Sequence, residues 1–149
     1  MNWKDQIDDI EMWLAKKGYD LIFSYNVEDC VIFADKTVHI NSRCSLENQY
    51  YAMLHECGHI LVRFDKKNWE KEIPLYANGE NVNGRNIKGR AYKVSLIAEE
   101  IEAWKRGKRL SKRYGHYVNE KKYDASISEF VWSYIEMVTG TEKEKGVSP

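Results

Sequence analysis

From Ser45 onward the apolar residues Leu46, Tyr50, Met53, Cys57, Ile60 and Phe64 recur at spacings of four, three, four, three and four. That is the period of an α-helix with one buried stripe, and Ser45 is placed to cap its first turn. On a wheel of about 100° per residue the stripe gathers around Met53, while His55 and His59 fall at about 200° and 240° from it. Their neighbours on that second face are Tyr51, Ala52, Gly58 and Val62, none of them charged. A helix without a solvated face needs cover on both sides, so this one is expected at the centre of its fold.

The rest of the chain is read around that helix. Trp3, Ile7, Ile10 and Leu14 mark an amphipathic first helix, and Gly18 stands where a glycine C-cap would end it. Three short runs follow, Leu21-Ile22-Phe23, Cys30-Val31-Ile32-Phe33 and Thr37-Val38-His39-Ile40, separated by turn-forming polar residues. They predict a three-stranded antiparallel β-meander covered by the helices, an α+β class. Residues 65–90 hold Pro74 and a series of Asn and Gly residues, read as a long flexible loop with a short hairpin at Asn83-Gly84. Further helices are predicted over about residues 92–110 and about 124–138. The reading is one domain over residues 1–139 and a polar tail over 140–149.

Composition excludes several classes. Of 149 residues, 23 are Lys or Arg and 23 are Asp or Glu, so no global field draws the protein to a polyanion. The balance hides an acidic first part (residues 1–60, net −5) and a basic second (61–149, net +5). No apolar run approaches the roughly 18 residues of a membrane span, and the start of the chain does not resemble a signal peptide, so a soluble cytoplasmic protein with no membrane partner is expected. Cys30, Cys44 and Cys57 lack Cys-x-x-Cys spacing. Reduced, mostly buried thiols are expected instead of disulfides or a thiolate zinc site.

Within the central helix stands His55-Glu56-Cys57-Gly58-His59, the His-Glu-x-x-His pattern. One helical turn separates the two imidazoles, so both can bind a single Zn2+ ion, and Glu56 can reach a zinc-bound water as general base. A hydrolytic zinc site needs a third protein ligand and an open position. Asp65 lies six residues beyond His59, but Val62 occupies the place where such a close-in arrangement needs a chain-reversing glycine. The later helix offers Glu99, Glu100 and Glu102. Taking Val94, Ile97, Ile101 and Trp104 as its apolar face, Glu100 falls about 60° from Ile97, while Glu99 and Glu102 project away and can pair with Lys105 and Arg106. A carboxylate turned toward a core needs a counter-charge, which zinc supplies. Glu100 is therefore the first candidate and Glu102 the second.

A strand leading to Asn41, the helix carrying Tyr50 to Leu61 with its His-Glu-x-x-His core, and the later Glu100-Ile101-Glu102-Ala103 together resemble the ImmA/IrrE-type metallopeptidases, including small stand-alone members from phages and bacteria. The resemblance spans roughly residues 20–110. It implies a gluzincin-like fold in which the glutamate of a Glu-x-x-Ala pattern is the third zinc ligand, matched here by Glu100 and Ala103. It also implies a protein or peptide substrate, in some members a repressor-like regulator. Trp104 departs from the family, which often has asparagine there. The implied activity is hydrolysis of a peptide bond, with His55, His59 and Glu100 holding zinc and Glu56 activating the water. Candidates for an oxyanion donor are Tyr50, Tyr51, Tyr76, His39 and His116, and substrate backbone can add to an exposed strand edge.

Lys105, Arg106, Lys108, Arg109, Lys112 and Arg113 form a basic run at the end of the glutamate helix. Cations are favoured at a helix C-terminus, so a solvated face accounts for them. The alternative is a non-catalytic, metal-containing regulatory protein that associates with nucleic acid through this 105–113 segment.

Overall fold

The computed structural model describes residues 2–72 and 89–140. Helix α1 (Trp3–Lys16) precedes strands β1 (Asp20–Ser24), β2 (Cys30–Ile32) and β3 (Thr37–Asn41). Helices α2 (Leu46–Phe64), α3 (Lys66–Glu72), α4 (Arg90–Arg113) and α5 (Glu120–Thr139) follow. The class is α+β, as expected. The chain divides into two compact units, one of Met1–Phe64 with Ala103–Val118, the other of Asp65–Glu102 with Asn119–Pro149. Among the described residues, no helix is long and apolar enough to cross a membrane.

In the first unit α1 starts on a reciprocal cap, with the Asn2 side chain accepting from the Asp5 N–H at 2.9 Å and the Asp5 carboxylate accepting from the Asn2 N–H. It ends as Gly18 predicts. Gly18 at φ 87° donates to the Ala15 carbonyl and Tyr19 to that of Leu14, so the last carbonyls find partners through a left-handed residue that glycine adopts without a Cβ penalty. Ile7, Ile10 and Leu14 are buried as their spacing requires.

The sheet is not the antiparallel meander its three runs suggest. Its order is β1-β3-β2, with β1 parallel to β3 (Leu21 opposite Val38, Phe23 opposite Ile40) and β2 antiparallel to β3 (Val31 opposite Val38). The middle place goes to the strand with the strongest alternation, since Val38 and Ile40 are fully buried while β1 and β2 stay half-covered. The link allows it. Residues 25–29 can reach about 17 Å when extended, more than the two strand spacings of about 4.8 Å that separate β1 from β2. At the start of β2 the ladder stops, and the Asp29 carboxylate accepts from the Asn41 N–H at 2.7 Å.

Helix α2 packs on α1, β3 and β2, and α1 packs on β1. Buried residues lie all round α2, including Tyr50, Tyr51, Met53, Leu54, Cys57, Ile60 and Val62, as a central helix requires. Only the ends of its stripe, Leu46 and Phe64, are exposed.

In the second unit, residues 66–72 form α3 instead of the start of a loop. The segment has no Gly or Pro, Lys66 and Glu70 pair across one turn at 3.8 Å, and Asp65 accepts from the Trp69 N–H through its carbonyl and from the Asn68 side chain through its carboxylate. The remainder of the expected loop, residues 73–88 with the Asn83-Gly84 hairpin, lies outside the described residues, as does the tail from 141. Helix α5 starts four residues earlier than expected because Asn119 caps it, accepting from the Lys122 N–H at 3.1 Å.

Candidate metal centre

The site is built on a close crossing of α2 and α4. A Cβ placed on Gly58 would lie 1.8 Å from the Ala103 carbonyl oxygen, and one on Gly107 would lie 2.2 Å from that of Leu54. The two backbones therefore touch at two points one turn apart, which only residues as small as Gly58, Ala103 and Gly107 permit. This crossing sets the buried face of α4. It runs through Glu100, Ala103, Trp104, Gly107, Leu110 and Ser111, whereas Ile97 and Ile101 are half-exposed and Val94 is exposed. The expected apolar face of α4 is thus corrected by about 100° on the wheel, toward its small residues. Glu100 moves from the flank of the buried face to its middle.

Glu100 stands one turn before Ala103 on the same helix, and His55 and His59 lie on either side of Gly58 in sequence. One ligand atom from each of His55, His59 and Glu100 lies within 4.8 Å of the others. His55 and Glu100 are buried and His59 is half-buried. The two Nε2 atoms are 3.1 Å apart, close to the roughly 3.3 Å separating two nitrogens bound tetrahedrally to one zinc ion at about 2.0–2.1 Å. With Glu100 only 7% exposed, the three side chains form a largely buried group that could hold a metal ion. Two imidazoles and one carboxylate suit zinc, so the donor set fits the expected metal.

Neither alternative third ligand belongs to this group. Asp65 is engaged at the start of α3, and Glu102 is half-exposed on α4. Glu56 is 5% exposed, with Oε1 3.4 Å from Nδ1 of His55. Its charge is felt at the start of β2. Desolvation first, with the Glu56 charge assisting, raises the Asp29 carboxyl above its ordinary range, although the Asn41 N–H pulls the other way. The Cys30 thiol is raised by the same two causes in the same order.

The oxyanion candidates among the described residues have partners of their own. Tyr50 and His116 join a chain that runs from the core out to Asp9, with the Tyr50 hydroxyl 2.6 Å from His116 Nδ1 and His116 Nε2 2.8 Å from Asp9 Oδ2. Burial drives the Tyr50 phenol far above its usual range. The Tyr51 hydroxyl donates to Glu47, and His39 lies 3.2 Å from the Thr37 hydroxyl. Tyr76 is outside the described residues. Of the three thiols, all free, only Cys57 is buried, which corrects the expectation that most would be. Cys30 is half-buried and Cys44 exposed. In the basic run Lys105, Arg109, Lys112 and Arg113 are exposed, while Arg106 turns back to the Leu61 carbonyl at 3.4 Å.

Two features escape a reading by hydrophobic pattern. Gly107 is visible as a glycine inside a helical period, a signal of close packing. Trp104 is legible only as an apolar residue, yet its ring stacks on His55 with centroids 4.3 Å apart and planes 9° from parallel. No protein-family model, curated protein or solved structure matches the chain.

Proposed function

We propose that this chain is a zinc-dependent metallopeptidase of the ImmA/IrrE type, hydrolysing a peptide bond in a protein substrate such as a repressor-like regulator in the cytoplasm. The observation that carries the reading is the convergence of His55 and His59, from one turn of α2, with the buried Glu100 of α4. His55, His59 and Glu100 would hold the ion. When bound, zinc supplies Lewis acidity that makes water a nucleophile near neutral pH and offsets negative charge on the carbonyl oxygen.

The chain's own residues do the rest. Glu56, buried beside His55, takes the proton of the attacking water and delivers it to the departing amine. Strand β2 pairs with β3 along one edge and packs against α2, so an extended substrate added to the other edge of β2 would run beside the helix that carries Glu56.

The test is Glu56→Gln beside wild type, both loaded with zinc, incubated with a peptide library digested from a bacterial proteome and read by mass spectrometry. New cleavage products with wild type and none with Glu56→Gln, at equal zinc content, are expected. Identical product profiles from the two proteins would overturn the reading in favour of a metal-containing regulatory protein that binds without cleaving.

A further inference from the structure

We infer that Trp104 is a positioning residue for the metal centre, a flat platform that holds the His55 imidazole in its ligating orientation. The inference rests on the zinc reading above and concerns how that site is kept ready for its ion.

An imidazole on a helix turns about its second side-chain torsion in a broad well, so backbone placement alone leaves the ligating nitrogen imprecisely aimed. Metal-ligating histidines are ordinarily fixed by a partner beyond the ligand itself. Here the Trp104 indole lies flat against the His55 ring at 4.3 Å and 9°, and tilting that ring drives its edge into the indole. The platform is itself immobilised. Trp104 is 5% exposed and lies between Ala103 and Gly107, the two points where α4 meets the backbone of α2. His55 lies between Leu54 and Gly58, the matching points on α2. The two stacked residues are flanked in sequence by the points of closest backbone approach, so the helix register fixed there also sets the rings face to face. The indole face is also the negative side of its quadrupole, which favours an imidazole sharing the charge of a cation.

The test compares zinc affinity, by chelator competition, in wild type, Trp104→Phe and Trp104→Met. Methionine fills volume without presenting a flat face, and phenylalanine keeps one. Trp104→Met is expected to bind zinc about 10–100-fold more weakly, the usual cost of removing an outer partner of a metal ligand, and to show an altered visible spectrum when loaded with Co2+. Trp104→Phe should stay within about threefold of wild type, restoring both readouts. A purely space-filling tryptophan would leave the Co2+ spectrum of Trp104→Met unchanged, and that result, or wild-type affinity in this variant, overturns the proposal. Wild type that takes up no zinc refutes the zinc reading and this one together. Wild type that binds zinc beside an equally good Trp104→Met refutes only the role of Trp104. In zinc-loaded wild type, the His55 ring protons should be shifted upfield and show nuclear Overhauser contacts to the indole; their absence contradicts the proposal however the variants fold.

Discussion

Replacing Gly58 by alanine adds one methyl group at the point where α2 and α4 touch. That Cβ would lie 1.8 Å from the Ala103 carbonyl oxygen, 2.4 Å from its carbonyl carbon and 2.8 Å from its Cα. All three are backbone atoms, so no side-chain rotation relieves the clash, and α4 has to withdraw by roughly 1.5 Å to reach ordinary contact distance. Overpacking of this kind costs about 1–3 kcal/mol. Alanine returns up to about 1 kcal/mol through its better helix propensity. The strain is at the severe end, which leaves a net loss of about 1–2 kcal/mol and a melting point lower by about 3–8 °C for a chain of this size. The effect on metal should be larger. Glu100 rides on the same helix one turn from the clash, and a shift of about 1.5 Å is most of a zinc–oxygen bond length. Zinc affinity should fall by about 100-fold or more as the third ligand is lost. Thermal melting of the metal-free protein and chelator competition at 25 °C measure the two effects. A Gly58→Ala protein with the melting point and zinc affinity of wild type would refute the account of the crossing.

Other consequences follow from the same structure. Tyr50→Phe leaves His116 Nδ1 buried without its hydroxyl partner and should destabilise the protein by about 1–2 kcal/mol in denaturant unfolding, with zinc affinity unchanged because this chain of hydrogen bonds is separate from the ligands. Asp29 has its folded-state pKa raised above the ordinary 3.8, chiefly by desolvation. The folded state therefore holds its proton more tightly than the unfolded, and the contribution of this residue to stability falls as pH rises through the window beginning at 3.8. Asp29→Asn should accordingly gain stability relative to wild type between pH 3.5 and pH 7 in paired unfolding titrations; a flat or opposite trend contradicts the assignment. Alkylation of the native protein with iodoacetamide should label the exposed Cys44 and spare Cys57, whose thiol burial raises well above its ordinary value. Rapid labelling of Cys57 would show that the core of α2 opens.

Much of this was legible in residue order because it depends on local period. The stripe of α2, the glycine beyond α1 and the turn-apart histidines are each set by helical geometry within a few residues. Glu100 was legible for a less local reason, that a carboxylate near the buried arc of a helix needs a cation. What pattern did not reveal depends on which backbones approach. The β1-β3-β2 order follows from how far residues 25–29 reach and from the burial of Val38 and Ile40, whereas alternation alone is silent about neighbours. The buried arc of α4 was misplaced toward Val94, Ile97 and Ile101 because a hydrophobic wheel weighs large apolar side chains, while a crossing at contact distance selects Ala103 and Gly107 for being small. The stacking of Trp104 on His55 joins residues 49 positions apart and has no local signature.

The most direct measurement is the zinc content of the purified, zinc-equilibrated protein after exhaustive dialysis, for wild type, His55→Ala, His59→Ala and Glu100→Ala. The account predicts about one zinc per wild-type chain and strong depletion in all three variants, as expected when each supplies one of three protein ligands. Metal-free wild type, or Glu100→Ala retaining a full complement, would contradict it.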